Sequence, residues 1–257
     1  MKIKFFVFKI LLLFFIINSC TNTSPKNNFI KNEILIEDTS SQKKIKEILQ
    51  PKDIEKKYLI GKYNPETDSN FLQIPSKYCT YRIEYIHREV YFALLQMLEY
   101  AYSQGINLKI VSAVRNYDTQ LYLWNSQISA RYDIKTIKNA LKYIAMPGTS
   151  RHHWGTDIDF NSTTLQFYKS SEGIAIYEWL CENAPKFGFY QVYTSNRKTG
   201  YLEEKWHWSY KNLAIEFQEN YKIKISYSDL GKYRGSEFCE ELDIFNNFVF
   251  GIDSVFL

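Results

Sequence analysis

The sequence predicts an α+β domain, a reading carried by three observations. Apolar residues recur at three- and four-residue steps over residues 86–104 and again over 172–187, the period of helices with one buried face. Shorter stretches at 106–114 and 156–160 read as strands. Residues 189–193 and 201–208, dense in Tyr and Trp, flank the polar segment 195–200 and read as a hairpin. The 257 residues suit one domain of ordinary size with extensions, and a hydrophobic content of 45% is ample for a core. The formal charge of +4 is mild and spread along the chain, so no nucleic-acid partner is expected.

Residues 1–19 read as an export signal. Lys2 and Lys4 form a short basic region, and residues 5–17 are apolar apart from Lys9, too short for a comfortable span of ~20 residues. The run ends at Ile17-Asn18-Ser19-Cys20, which resembles a bacterial lipoprotein cleavage box with Cys20 as the lipidated residue, although Asn18 is unusual at its place. Residues 20–57 are rich in Asn, Lys, Ser, Glu and Ile without an apolar period, and read as a tether with a short helix near 41–49. The expected product is an exported lipoprotein facing the periplasm or cell wall, its membrane contact being the lipid anchor. Cys79, Cys181 and Cys239 remain; they allow at most one disulfide, and without a CxxC spacing they do not suggest a thiolate metal site.

Residues 58–81, with Gly61, Pro65 and Pro75, read as irregular lead-in structure. In the helix at 86–104 the apolar face is Val90, Leu94, Met97, Leu98 and Ala101, Gly105 ends it, and His87 falls in its first turn as a surface or half-buried residue. The strand at 106–114 leads into Arg115, and a new helix begins near Asp118. A guanidinium at such a strand-to-helix turn can reach into a cleft and grip a carboxylate. A helix over 134–145 stops at Met146-Pro147-Gly148-Thr149.

Residues able to bind a metal gather in two short motifs. The chain has 4 histidines, at 87, 152, 153 and 207. Two of them stand in Ser150-Arg151-His152-His153-Trp154-Gly155-Thr156-Asp157-Ile158-Asp159, and another in Glu204-Lys205-Trp206-His207-Trp208. Two imidazoles, a carboxylate and a spare glutamate are the parts of a catalytic zinc site, with three protein ligands and one open position. A strand over 156–160 puts Asp157 and Asp159 on one face, so geometry leaves open which of them is the ligand. Glu204 and His207, three apart, would face opposite sides of an ideal strand. Both reach a metal only if a bulge or turn intervenes. A helix over 212–220 comes next, and residues 223–257 form a C-terminal extension without a catalytic grouping.

Taken together, these motifs resemble those of zinc D-alanyl-D-alanine carboxypeptidases of the VanY type. The family's Ser-x-His, with Gly three on and Asp seven after the His, is met by Ser150, His152, Gly155 and Asp159. Its Glu-x-x-His with flanking tryptophans is met by Glu204 and His207, and its upstream arginine segment by residues 112–120. The resemblance covers residues 58–222. It implies a small antiparallel sheet flanked by helices, the zinc D,D-peptidase or hedgehog-like fold. It implies one Zn2+ per chain on His152, Asp159 and His207, Glu204 as general base, Arg115 stabilising substrate negative charge, and Gln120 and Ser150 lining the substrate pocket. The expected partner is a peptidoglycan stem peptide losing its terminal D-alanine. An L,D-carboxypeptidase, a D,D-dipeptidase or a non-catalytic cell-wall-binding lipoprotein are the competing readings. Two positions depart from the family pattern: Asp157 stands where a small residue is usual, and Lys205 where Pro is common.

Overall fold

The computed structural model describes residues 52–257. The expected signal segment 1–19, the lipidation site Cys20 and the tether up to residue 51 lie outside the described residues. Residues 52–57, expected to belong to the tether, are already docked: Ile54 is buried, its amide bonds Asn220 Oδ1 at 3.1 Å, and Asn220 Nδ2 bonds Lys52 O at 2.8 Å. The reason is the apolar Ile54 side chain beside a buried asparagine, which together outweigh the polar composition around them.

The fold is α+β. A four-stranded antiparallel sheet has the order β3 (Ile110–Ser112), β4 (Asp157–Phe160), β6 (His207–Tyr210), β5 (Phe189–Gln191). A second antiparallel pair joins β1 (Phe71–Gln73) to β2 (Tyr85–His87). Around them pack α1 (Lys56–Leu59), α2 (Arg88–Ser103), α3 (Tyr117–Gln127), α4 (Ile134–Ala140), α5 (Ser171–Asn183) and α6 (Lys211–Lys224). Among the described residues no helix is long and apolar enough to cross a membrane.

The apolar face expected for α2 is the one observed: Val90, Leu94, Met97, Leu98 and Ala101 are its buried residues. Its start differs. His87 is buried rather than in the first turn, closing β2 and capping the helix by accepting from Glu89 N at 3.3 Å. The predicted strand 106–114 shrinks to three residues because its distal amides bond elsewhere. Ala113 N donates to Glu84 Oε2, Val114 N to Tyr85 O and Arg115 N to His152 O, so the chain leaves the sheet after Ser112. The helix expected over 134–145 ends at Ala140, and Ala145 O instead accepts Gln120 Nε2 at 2.7 Å.

The sheet's register positions the site. Asp159 pairs with His207, Asp157 with Ser209, and Ser112 with Asp159. The two-residue strand period places Asp157, Asp159, His207 and Ser209 on one face. Ile158 and Trp208 point the other way and are buried in the main core. One face of β4 and β6 is therefore apolar, and the other carries the chemistry.

Candidate metal centre

His152 comes from a tight helical turn, Arg151–Trp154, that links the Pro147-Gly148 loop to β4. The turn ends on Gly155, whose φ of +67° suits glycine. A Cβ there would stand 3.1 Å from His87 N and 2.8 Å from the Phe71 ring, so the turn also requires glycine for space. Asp159 and His207 come from adjacent strands. The three donor atoms lie within 4.8 Å of one another, and all three residues are buried.

Hydrogen bonds fix which atoms face inward. His152 Nδ1 bonds Ala113 O at 2.7 Å; a carbonyl only accepts, so Nδ1 carries the proton and Nε2 of the neutral ring carries the lone pair. His207 Nε2 bonds Asp157 Oδ2 at 2.9 Å, which leaves Nδ1 for the site. His152 Nε2 is 3.3 Å from Asp159 Oδ2 and His207 Nδ1 is 3.4 Å from Asp159 Oδ1. Tetrahedral zinc bonds of ~2.0–2.1 Å put neighbouring donor atoms ~3.3–3.4 Å apart. Among the described residues, His152 Nε2 and Asp159 Oδ1 are buried without a hydrogen-bond partner, although each is close to another donor atom. Such orphaned lone pairs are costly unless a cation satisfies them. The donor set fits zinc.

The electrostatics agree. Burial disfavours ionisation of Asp159, but His152, His207 and Arg115 hold its carboxyl down at about 2. Burial also disfavours protonation of His207, yet hydrogen bonds to Asp157 and Glu204, with the Asp159 charge, push it up to about 9. The same carboxylates favour any cation at this point.

Glu204 resolves the parity conflict with His207. The strand expected over 201–208 begins only at His207, and Glu204 sits in the preceding turn, where His207 N donates to Glu204 O at 3.3 Å. Its Oε2 lies 3.2 Å from His207 Nδ1. Burial, and the Asp159 charge against the pull of His207, raise its carboxyl above the usual range. Arg115 approaches from the turn after β3, with Nη2 3.7 Å from Asp159 Oδ2. Its Nη1 donates to Gln120 Oε1 at 3.2 Å.

Gln120 is fully buried on α3, so it does not line the substrate space as expected; it braces Arg115. Ser150 borders a small inner cavity of about 40 Å3 with His152, Glu204 and His207. That cavity shares Arg115 and Glu204 with an open cleft of about 720 Å3, whose wall includes Ser112, Asp159 and Trp206. His153, beside His152, is not among the three residues placed to hold a metal ion.

Sequence reasoning missed Arg151, the largest buried cation at the site. Its Nε donates to Asp157 Oδ2 at 2.9 Å and its Nη2 to Ser209 Oγ at 3.2 Å. Burial opposes ionisation of Asp157, but Arg151 and His207 hold its carboxyl far below the usual range. The available signal was Asp157 itself. A second carboxylate in a position usually small needs a buried positive partner, and Arg151 is the nearest cation in sequence.

The profile of the VanY family, described as D-alanyl-D-alanine carboxypeptidase, matches residues 83–213. YodJ of Bacillus subtilis (strain 168), a putative carboxypeptidase by name, is 32% identical over 142 residues, 53% of this chain and 50% of that protein. A D-alanyl-D-alanine carboxypeptidase of Enterococcus faecalis (strain ATCC 700802 / V583) is 29% identical over 128 residues, 47% of this chain and 46% of that protein. The chain thus spans about half the length of these curated relatives. Among solved structures, a vancomycin-resistance D,D-pentapeptidase VanY with Zn(II) aligns with a TM-score of 0.45 at 23% identity, covering 62% of this chain and 94% of that one. The LdcB LD-carboxypeptidase aligns with a TM-score of 0.48 at 23% identity, covering 73% and 81%. With the profile spanning both metal motifs and the arginine segment, the chain belongs to the VanY family of D-alanyl-D-alanine carboxypeptidases.

Proposed function

We propose that this protein is a zinc-dependent carboxypeptidase that removes the terminal D-alanine from peptidoglycan stem peptides. The observation that carries the proposal is the convergence of His152, Asp159 and His207 with Glu204 and Arg115 where the inner cavity meets the cleft. Membership of the family and the name of the Enterococcus faecalis relative support the substrate class.

Zinc held by the three ligands would supply Lewis acidity toward the scissile carbonyl and toward the attacking water. Glu204 takes the water's proton as the new C–O bond forms, and returns it to the amine nitrogen as the C–N bond breaks. Its burial suits this role, since a carboxylate with raised proton affinity is a better base. Arg115 stabilises negative charge on the substrate, and Gln120 holds the guanidinium in place. Export and anchoring through Cys20 would place this activity at the cell wall, where the substrate is.

The test is metal analysis of the purified protein followed by mass spectrometry of treated muropeptides. Loss of one D-alanine from pentapeptide stems is the expected result. Loss only from tetrapeptides would reassign the enzyme as an L,D-carboxypeptidase, and no change with zinc bound would make it a binding module.

A further inference from the structure

The two adjacent histidines bond the same short backbone segment through the same ring atom. His152 Nδ1 bonds Ala113 O at 2.7 Å, and His153 Nδ1 bonds Arg115 O at 2.7 Å. Arg115 N completes the staple by donating to His152 O at 3.2 Å. Residues 113–115 carry the guanidinium of the proposed site, so three hydrogen bonds set that arginine's backbone against the loop that bears a metal ligand. His153 is completely buried, and no step of the proposed hydrolysis uses it.

The ring's protonation pattern is dictated by its partners. Gly148 N donates to His153 Nε2 at 3.1 Å. A backbone amide can only donate, so Nε2 carries the lone pair and Nδ1 of the neutral imidazole carries the proton. That Nδ1–H meets the Arg115 carbonyl, which can only accept. Both ring nitrogens are matched, and turning the ring over would break both bonds. Close packing fixes the plane of the ring. Gly61 lies against the ring at a φ of +78°, and a Cβ on it would stand 2.7 Å from His153 Cγ. Gly61 O in turn accepts Tyr117 N at 2.7 Å, and the Tyr63 hydroxyl bonds His153 O.

We propose that His153 is a positioning residue for Arg115, fixing the arginine's backbone carbonyl through a ring whose tautomer the Gly148 amide sets. The proposal rests on the role of Arg115 in the proposed function. It assigns the two halves of the His-His pair to the two halves of the site: His152 to the metal, His153 to the guanidinium. Arg115 is then held at both ends, its backbone by His153 and its side chain by Gln120, which is anchored on Ala145 O.

Two substitutions separate the ring's two bonds. His153→Asn places an amide nitrogen where Nδ1 stood and retains a donor for Arg115 O. His153→Gln places its amide at the Nε2 position, keeping an acceptor for Gly148 N and losing the donor. The Gln variant should bind zinc with wild-type stoichiometry and lose roughly 10- to 100-fold in kcat/KM, the scale of an ångström-level misplacement. The Asn variant should stay within about threefold of wild type. In an Arg115→Ala background the Gln substitution should cost no more than about twofold further, since residues acting through one another are not additive. A Gln variant as active as wild type, or equal losses in both backgrounds, overturns the proposal. Gly61→Ala presses a methyl group on the same ring and serves if the Gln variant does not fold; it should show the same non-additivity with Arg115→Ala, and independence would count against His153.

Two readouts do not depend on turnover. With 4 histidines in the chain, 15N-histidine labelling resolves each ring, and His153 must carry its proton on Nδ1; a proton on Nε2 sinks the idea. Binding of a peptide ending in D-Ala-D-Ala, measured by calorimetry on the zinc-loaded Glu204→Gln protein, should weaken in His153→Gln. Unchanged binding overturns the positioning role even if the wild-type protein releases no D-alanine, an outcome that would instead refute the proposed function.

Discussion

Asp157 stands where related motifs usually carry a small residue, and the strand register explains how the chain accommodates it. Paired with Ser209 and two residues from Asp159, it bonds His207 Nε2, the ring nitrogen turned away from Asp159 and the candidate metal position. There it fixes the imidazole tautomer and adds negative charge behind a proposed ligand. The buried Arg151 guanidinium balances that charge, stacking 4.5 Å from the Trp154 ring while bonding Asp157, Ser209 and Gln218. Asp157→Asn should weaken zinc binding roughly 10- to 100-fold, as for other groups that orient metal ligands. The same variant leaves Arg151 buried without its carboxylate, and breaking a buried pair costs up to about 3–5 kcal/mol. A competition titration with a zinc chelator, run beside urea unfolding, reads both effects; wild-type zinc affinity would remove Asp157 from the site. Glu204→Gln tests a different role. It keeps the ligands and the cavity, so zinc stoichiometry should be unchanged while kcat falls by roughly 10²–10⁴-fold. Full activity in that variant would end the role of Glu204 as base.

At the scale of elements, the junction of β2 and α2 carries a pH dependence of its own. His87 closes the strand, caps the helix and packs edge-on against Phe71 and Phe217 at 5.7 and 5.9 Å. Burial lowers its pKa to about 4, with Lys52 and Arg88 adding to the effect against Glu89 and Asp68. An ordinary histidine near 6.5 binds more protons unfolded than this one does folded, so stability rises with pH across that interval. The contribution is fully present above about pH 6.5, declines as pH falls toward about 4 and is constant below; its size is about 3 kcal/mol. His87→Asn keeps a capping oxygen and removes the titration. Urea unfolding at pH 7.5 and 4.5 should show a smaller loss of stability on acidification in this variant than in the wild type. Equal losses would mean that other groups carry the acid sensitivity.

The whole molecule was legible to different depths. The helical faces of α2 and α5 could be read because burial repeats with the helix period, and the two metal motifs because their spacings survive any change of surroundings. The lengths of β3 and β6 could not. Their ends are decided by which distant groups compete for the backbone amides, Glu84 and His152 for residues 113–115, Tyr193 O for Glu204 N. For the same reason Glu204, the proposed base, fell in a turn, and Gln120 went behind Arg115 instead of into the cleft. The C-terminal extension was the least readable part, since nothing in its composition points to the contacts it makes behind the candidate site.

That extension reaches the back of the candidate metal centre at two points. Arg197 directs every N–H it has to backbone carbonyls, those of Thr194, Thr199, Tyr201, Leu202 and, from the extension, Gly251. The loop that leads to Glu204 is thereby tied to residues 244–257. Phe256 forms the second contact: it is buried, its ring lies 5.1 Å from the Arg151 guanidinium, and its carbonyl accepts from Gln218 Nε2. Arg151 is thus held between two aromatic rings, Trp154 and Phe256, while it balances Asp157. Phe256→Ala should cost about 3–5 kcal/mol of stability, the usual range for emptying a buried phenylalanine site. It should also let water reach Arg151, weaken its hold on Asp157, and through His207 reduce zinc affinity. Phe189→Ala is the control, since Phe189 is equally buried but lies on the edge strand β5, paired with Tyr210 on the apolar face of the sheet that Trp208 shares and His207 does not. If the extension supports the metal centre, the two variants lose similar stability but only Phe256→Ala loses zinc affinity in a chelator competition at a temperature where both are folded. Equal zinc affinities would reduce the extension to packing alone.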